Sequence, residues 1–145
     1  MTLRLNHIGI IVKNIEEYKR LFSAIGLDKI TIPACDTIQK VRGIFVDLGF
    51  DNQAHIELLE PIDNTSPVMN FLKKRGGGLH HICFEVEDIE KKSKELVKKG
   101  FKMVCPPVDC FAYDENFNRT CSIPTRIAFF MLSDRLLIEL LEKGK

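Results

Sequence analysis

Two histidines and two glutamates recur in register along this chain. LNHIGIIVKNIEEYKRLFSAIG (residues 5–26) and LHHICFEVEDIEKKSKELVKKG (79–100) each open on leucine, place a histidine two residues on, pass through an apolar run and close on glycine. A shift of 74 superposes His7 on His81, Ile15 on Ile89, Glu16 on Glu90 and Gly26 on Gly100; a shift of 82 superposes IELLE at 56–60 on IELLE at 138–142. One strand histidine is more often structural than functional. A histidine and a glutamate repeated in both halves, His7 with Glu57 and His81 with Glu139, make the pattern of one shared site. Two imidazole nitrogens and two carboxylate oxygens form a mixed, fairly hard ligand set. It suits one divalent ion (Zn²⁺, Ni²⁺, Co²⁺, Mn²⁺ or Fe²⁺) and leaves coordination positions open. Such an ion stabilises charge developing on a carbonyl oxygen while the neighbouring carbon loses its proton.

The elements that must position these residues are legible in the periodicities. LRLNHIGIIV (3–12) is rich in β-branched and apolar residues, as a strand is. Asn14 suits a helix N-cap, with Glu17 three places on as in a capping box. Ile15, Tyr18, Leu21, Phe22 and Ile25 follow at helical spacing, and Gly26 suits the stop. LDKITI, VRGIFVDLG and AHIELLE then read as three strands, so the first half is βαβββ. Ser66 and Pro67 start a short helix that Gly76–Gly78 ends. The order then repeats: strand LHHICFEV, helix Ile89–Lys99 capped by Asp88, and strands FKMVC, TRIAFFML and RLLIELLE. The two shifts differ by eight residues, and the surplus falls in 106–124, a stretch with three prolines that reads as a long loop, either a functional lid or a passive surface excursion.

Strand alternation groups Leu5, His7, Gly9 and Ile11 on one face, and Leu79, His81, Cys83 and Glu85 on the equivalent face. The opposite faces carry Asn6, Ile8, Ile10 and Val12, and His80, Ile82, Phe84 and Val86; they are expected to pack on the helices, with His80 structural. The expected architecture is α+β: two paired βαβββ modules, about 1–62 and 79–145, joined by a short helical linker within a single domain over 1–145. They form a cupped, barrel-like mixed sheet with helices outside.

The composition narrows the partners. Hydrophobic content of 45% and charged content of 28% are ordinary for a globular domain, and a net charge of +1 gives no reason to expect nucleic acid or an anionic membrane surface. No apolar run has the length of a membrane span, and no secretory signal is expected. The odd number of cysteines, five, without a C-x-x-C pair, points to free thiols, and the cytoplasm is the expected compartment.

With these residues in view, the chain resembles the vicinal oxygen chelate superfamily, which includes glyoxalase I, methylmalonyl-CoA epimerase, fosfomycin-resistance enzymes, extradiol dioxygenases and bleomycin-binding proteins. The string TSPVMNFLKKRGGGLHHICFEVEDI is especially similar to methylmalonyl-CoA epimerases and short glyoxalase I-like proteins. The resemblance implies one metal per site, Ni, Zn, Co or Mn, held by His7, Glu57, His81 and Glu139. It also implies a small-molecule substrate, a glutathione hemithioacetal or an acyl-CoA thioester, and a homodimer is the expected assembly. Glu139 is the first candidate for the base and Glu57 the second. Arg119, Arg126 and Arg42 are candidates for gripping the substrate's anionic tail. The Lys73-Lys74-Arg75 cluster reads instead as a solvated helix end. Family epimerases carry a further glutamate where DTIQKVRGIFV here has Ile38 or Gln39, and the last hairpin lacks their His-Pro-Lys and paired glycines. The leading expectation is therefore proton transfer of the glyoxalase I (lactoylglutathione lyase) type, through a metal-bound enediolate or enolate. The alternatives are methylmalonyl-CoA epimerase and a non-catalytic binding protein.

Overall fold

The structure is a computed structural model that describes residues 3–49, 54–134 and 136–145. Its elements are β1 (Arg4–Ile11), α1 (Ile15–Ala24), β2 (Ala34–Asp36), β3 (Val41–Asp47), β4 (His55–Pro61), α2 (Val68–Arg75), β5 (Gly78–Glu85), α3 (Ile89–Lys98), β6 (Met103–Asp109), α4 (Phe111–Asn116), β7 (Arg126–Ser133) and β8 (Leu136–Glu142). The strands form one eight-stranded sheet in the order β2-β3-β4-β1-β5-β8-β7-β6. That order is mirrored about the β1–β5 seam. β1 runs parallel to β4, β5 parallel to β8, and β1 and β5 pair antiparallel, so the two modules join within one chain. The expected paired βαβββ modules and cupped mixed sheet are what the chain forms.

The repeat extends to the packing and the caps. Val12, Ile15 and Leu58 are buried between α1 and the sheet, and Val86, Ile89 and Leu140 occupy the matching places under α3. Asn14 accepts from the Glu16 and Glu17 amides at 2.9 and 3.4 Å, and Asp88 accepts from the Lys91 amide at 3.0 Å. Gly26 and Gly100 follow the helices with φ of 99° and 91°, a conformation that a side chain would strain. The IELLE string serves both layers at once. Glu57 and Glu139 point into the cup. Three residues on and on the opposite face, Glu60 accepts from the Ile15 amide and Glu142 from the Ile89 amide, both at 2.9 Å. Each glutamate answers an orphan N–H in the first turn of its own module's helix and carries negative charge to the positive end of the helix dipole.

Three expectations change. LDKITI is not a regular strand: Ile30 makes an isolated bridge to Val46, and β2 begins only after Pro33, which has no N–H to donate. The strand expected at FKMVC starts later and continues through Pro106 and Pro107, which an edge strand with shifts of register tolerates. The expected loop at 106–124 contains α4, which lies over the mouth of the cup rather than outside the sheet. Asn116 donates to the carbonyls of Ile32 and Gly43 at 2.7 and 3.0 Å, tying α4 to the far edge of the sheet. Arg135, where the last strand is expected to start, lies outside the described residues. Among the described residues no helix is long and apolar enough to cross a membrane.

Replacing Glu142 by alanine leaves the Ile89 amide without its acceptor, and the expected loss of unfolding free energy is about 1–2 kcal/mol. Glu60→Ala is expected to behave alike. Urea denaturation at neutral pH measures both, and an unchanged midpoint would show that these bonds contribute nothing net.

Candidate metal centre

The four central strands, β4, β1, β5 and β8, each deliver one of the repeated residues to the concave side. Glu57 comes from β4, His7 from β1, His81 from β5 and Glu139 from β8. His7 Nε2 lies 3.0 Å from His81 Nε2, 3.3 Å from a Glu57 oxygen and 2.9 Å from a Glu139 oxygen. His81 Nε2 lies 3.1 Å from Glu57 and 3.5 Å from Glu139. Both imidazoles are 2% exposed, while Glu57 is partly exposed to the cavity beside the centre.

The donor set fits a divalent cation. Glu139 Oε1 is buried and, although 2.9 Å from His7 Nε2, receives no aligned hydrogen bond. Two Nε2 atoms 3.0 Å apart with two carboxylates around them require positive charge between them. His7 shows how strong that demand is. Its burial disfavours the charged imidazolium, yet the Glu57 and Glu139 carboxylates outweigh burial and push its pKa up to about 10. Burial pulls Glu57 the other way from its neighbours' effect, and the His7 charge prevails, bringing Glu57 down to about 2. A metal ion can take the place that this proton occupies. Cys83 Sγ stands within ligand range of His7 and Glu139, but burial and the Glu139 charge raise its pKa well above the ordinary thiol value.

Strand alternation alone misses what surrounds the ligands. β1 and β5 pair with two irregularities of register. Leu5 matches Phe84 and His7 matches Cys83, leaving Asn6 over; Gly9 matches His81 and Ile10 matches Leu79, leaving His80 over. Each bulge turns the extra residue toward its histidine neighbour. His80 therefore does not face away as expected: its Nδ1 lies 2.9 Å from His81 Nδ1, and it lines the cavity beside the centre. Burial, followed by the charge of His81, lowers the His80 pKa to about 4, so it stays neutral. Gly9 is a second residue missed. A Cβ there would stand 2.0–2.5 Å from three atoms of the His81 ring, so the ring reaches the centre only because β1 is bare at that point. The available signal was a glycine inside a strand, which often marks such a close approach.

The cavity at the centre has a free volume of about 60 Å³. Phe129, Leu141 and Ile127 give it apolar walls, Asp36 and Gln39 line it from the β2 side, and Ala112, Tyr113 and Asn116 of α4 roof it. None of the three arginines expected at the substrate lines this cavity. Arg42 pairs with Glu60 at 3.0 Å. Arg119 pairs with Asp114 at 3.3 Å and donates to the Gly144 carbonyl at 2.6 Å. Arg126 pairs with Glu90 at 2.8 Å.

A mirrored eight-stranded cup with a two-histidine, two-glutamate cluster at its seam defines a class of paired-module folds with a candidate metal centre. Residues 6–117 match the glyoxalase/bleomycin resistance protein/dioxygenase superfamily, and the chain belongs to that superfamily. It is 36% identical over 104 residues to the mitochondrial methylmalonyl-CoA epimerase of Dictyostelium discoideum, covering 71% of this chain and 61% of that protein. It is 35% identical over 106 residues to the ethylmalonyl-CoA/methylmalonyl-CoA epimerase of Cereibacter sphaeroides, covering 70% of this chain and 74% of that protein. A hypothetical protein from Bacillus halodurans superposes with a TM-score of 0.80 at 30% identity, over 100% of this chain and 97% of its own. The chain thus spans about three fifths of the Dictyostelium relative's length.

Two outcomes follow for the protein without metal. His7 keeps its proton to about pH 10 when folded but releases it near 6.5 when unfolded, so its contribution to stability is full below 6.5 and lost as pH rises toward 10. Glu57 contributes fully above 4.5 and loses its contribution as pH falls toward 2. Denaturation of the apo-protein across pH is therefore expected to show the cluster most stabilising between 4.5 and 6.5; a flat profile from 6.5 to 10 would contradict the ion pairing. Gly9→Ala is expected to push His81 off the centre and weaken Zn²⁺ binding at least about tenfold, as read by chelator competition on folded protein.

Proposed function

We propose that this chain is a metal-dependent epimerase that inverts C2 of a methylmalonyl-CoA-type thioester. The observation that carries the proposal is a buried centre of two histidines and two glutamates in a chain 36% and 35% identical to methylmalonyl-CoA epimerases. The glyoxalase I type of lyase, the leading expectation from the sequence, finds no support among these relatives. The epimerase, held there as the alternative, takes its place.

His7, Glu57, His81 and Glu139 would hold the ion. When bound, it would supply Lewis-acid stabilisation of the charge that develops on the thioester oxygen. The chain's own residues move the proton. Inversion at C2 requires removal of the proton from one face of the carbon and its return to the other. Glu139 is the base on the first face: its buried Oε1 receives no aligned hydrogen bond and is open to the substrate's proton once His7 gives up its Nε2 proton. For the other face, the place of the family's glutamate is taken here by Ile38 or Gln39. Ile38 is 58% exposed, but Asp36, two residues earlier, lines the cavity. Its Oδ1 is held by the Ile38 and Gln39 amides at 2.9 and 3.0 Å, and its Oδ2 lies 3.9 Å from Cys110 Sγ. Asp36 in its acid form returns the proton to the planar enolate. Turnover leaves Glu139 protonated and Asp36 ionised, the state that processes the other epimer. Apolar walls keep water from the enolate. A cavity of about 60 Å³ holds only a few waters, so α4 yields to admit the thioester.

The test uses each epimer of methylmalonyl-CoA with metal-loaded protein in deuterated buffer. The wild type is expected to interconvert both epimers and place deuterium at C2, and chelation to stop it. Glu139→Gln is expected to lower kcat/KM by about 10³-fold. Asp36→Asn keeps the turn acceptor, and is expected to exchange the C2 proton of one epimer without interconversion. Metal-loaded protein that turns over neither epimer would overturn the proposal.

A further inference from the structure

We infer that Asn6 and His80 form a matched pair of positioning residues, each fixing the tautomer and ring plane of the histidine that follows it, so that His7 and His81 both turn Nε2 to the centre. The inference rests on the metal-site reading above, and it concerns two residues that no repeated motif marks. Asn6 and His80 are unlike in type, but they are related by the same 74-residue shift that relates His7 to His81. Each is the unmatched residue of its β-bulge. Each bulge brings a polar side chain to the Nδ1 of the ligand histidine, at 2.6 Å in the first module and 2.9 Å in the second.

In the first module the chemistry of the partners fixes the hydrogen on His7 Nδ1. Glu85 is a carboxylate in contact with Arg4 and Lys143 at 3.6 and 3.4 Å, and it only accepts. The Asn6 group 2.8 Å from it must therefore be the amide nitrogen, which also donates to the Tyr113 hydroxyl at 3.1 Å. The Asn6 oxygen then faces His7, and an oxygen accepts, so Nδ1 keeps its hydrogen and Nε2 is the nitrogen that gives up its proton to offer a lone pair to an ion. The reference charge for a ligand of the first module thus sits on β5, a strand of the second. In the second module His80 has no such relay. For His81 to donate from Nδ1, His80 must present a bare Nδ1 and carry its own hydrogen on Nε2; its ring is held in place edge-on to Phe71, centroids 5.4 Å apart. Groups of this kind orient metal-bound imidazoles and raise their basicity.

The experiment measures Zn²⁺ affinity by chelator competition on the full chain, with thermal melting as the control for folding. Asn6→Leu and His80→Phe are each expected to weaken Zn²⁺ binding by about 10–100-fold. His80→Asn, which installs the first module's solution in the second, is expected to stay within about threefold of the wild type, since it restores the acceptor. A purely structural role would track melting temperature and would not distinguish asparagine from phenylalanine in this way. Nitrogen-15 spectra of histidine side chains in the Zn²⁺-loaded wild type add a readout that needs no variant. They are expected to show protonated Nδ1 on His7 and His81, and a bare Nδ1 with protonated Nε2 on His80. Protonated Nδ1 on His80, or unchanged affinity in folded Asn6→Leu and His80→Phe, would overturn the inference while leaving the metal site standing. A wild type that binds no divalent ion would remove the metal-site reading itself.

Discussion

Two buried imidazole nitrogens held 3.0 Å apart are the constraint on which the rest of this structure turns. Left to themselves, two such lone pairs repel, and two carboxylates beside them, one of them buried, would be worse. Together they become favourable once positive charge sits among them, and only if the backbone holds them rigidly enough that they cannot relax apart. The four central strands supply that rigidity. Each ligand comes from a different strand and each strand is bonded on both sides, so no ligand can retreat without breaking a ladder.

The mirrored order of the sheet makes such a site inexpensive to encode. One module provides a histidine on its first strand and a glutamate on its last, and antiparallel pairing of β1 with β5 brings two copies face to face. The same IELLE string that faces a glutamate inward also sends one outward to the helix above it, so fold and site are fastened by neighbouring residues of a single strand. The copies are not identical where they meet. Gly9 leaves room for the His81 ring, while its counterpart across the repeat, Cys83, fills the place beside His7. The mouth is asymmetric too, because the eight surplus residues of the second module build α4 across it, and Asn116 fastens that helix to the first module's edge.

Asp114 shows how that asymmetric roof is held. It is buried and accepts from the Thr125 amide and hydroxyl at 2.9 and 2.6 Å, and Arg119 bridges it to the Gly144 carbonyl. Arg119, whose charge suggested an anion contact in the sequence, thus has a local role visible only in three dimensions. Arg126, with Glu90, and Arg42, with Glu60, have similar roles.

The sequence by itself determined the modules, the helices α1 to α3 and the four residues at the centre. Periods of two and of 3.6, capping residues and the in-register repeat are local signals, and a residue repeated at the same place in two copies survives errors in the boundaries between them. Strand ends at Pro33 and Pro106 were less legible, because whether a proline ends a strand depends on whether a neighbour needs its missing N–H. The tertiary structure alone decided the rest. The bulges that turn Asn6 and His80 toward the centre arise from pairing between strands more than seventy residues apart, and a one-residue slip reverses every face that alternation assigns. Which carboxylates reach the cavity, which arginines are already engaged and what roofs the cup are all questions of distance between segments remote in sequence. No pattern along the chain encodes such distances; they exist only once the sheet has curled.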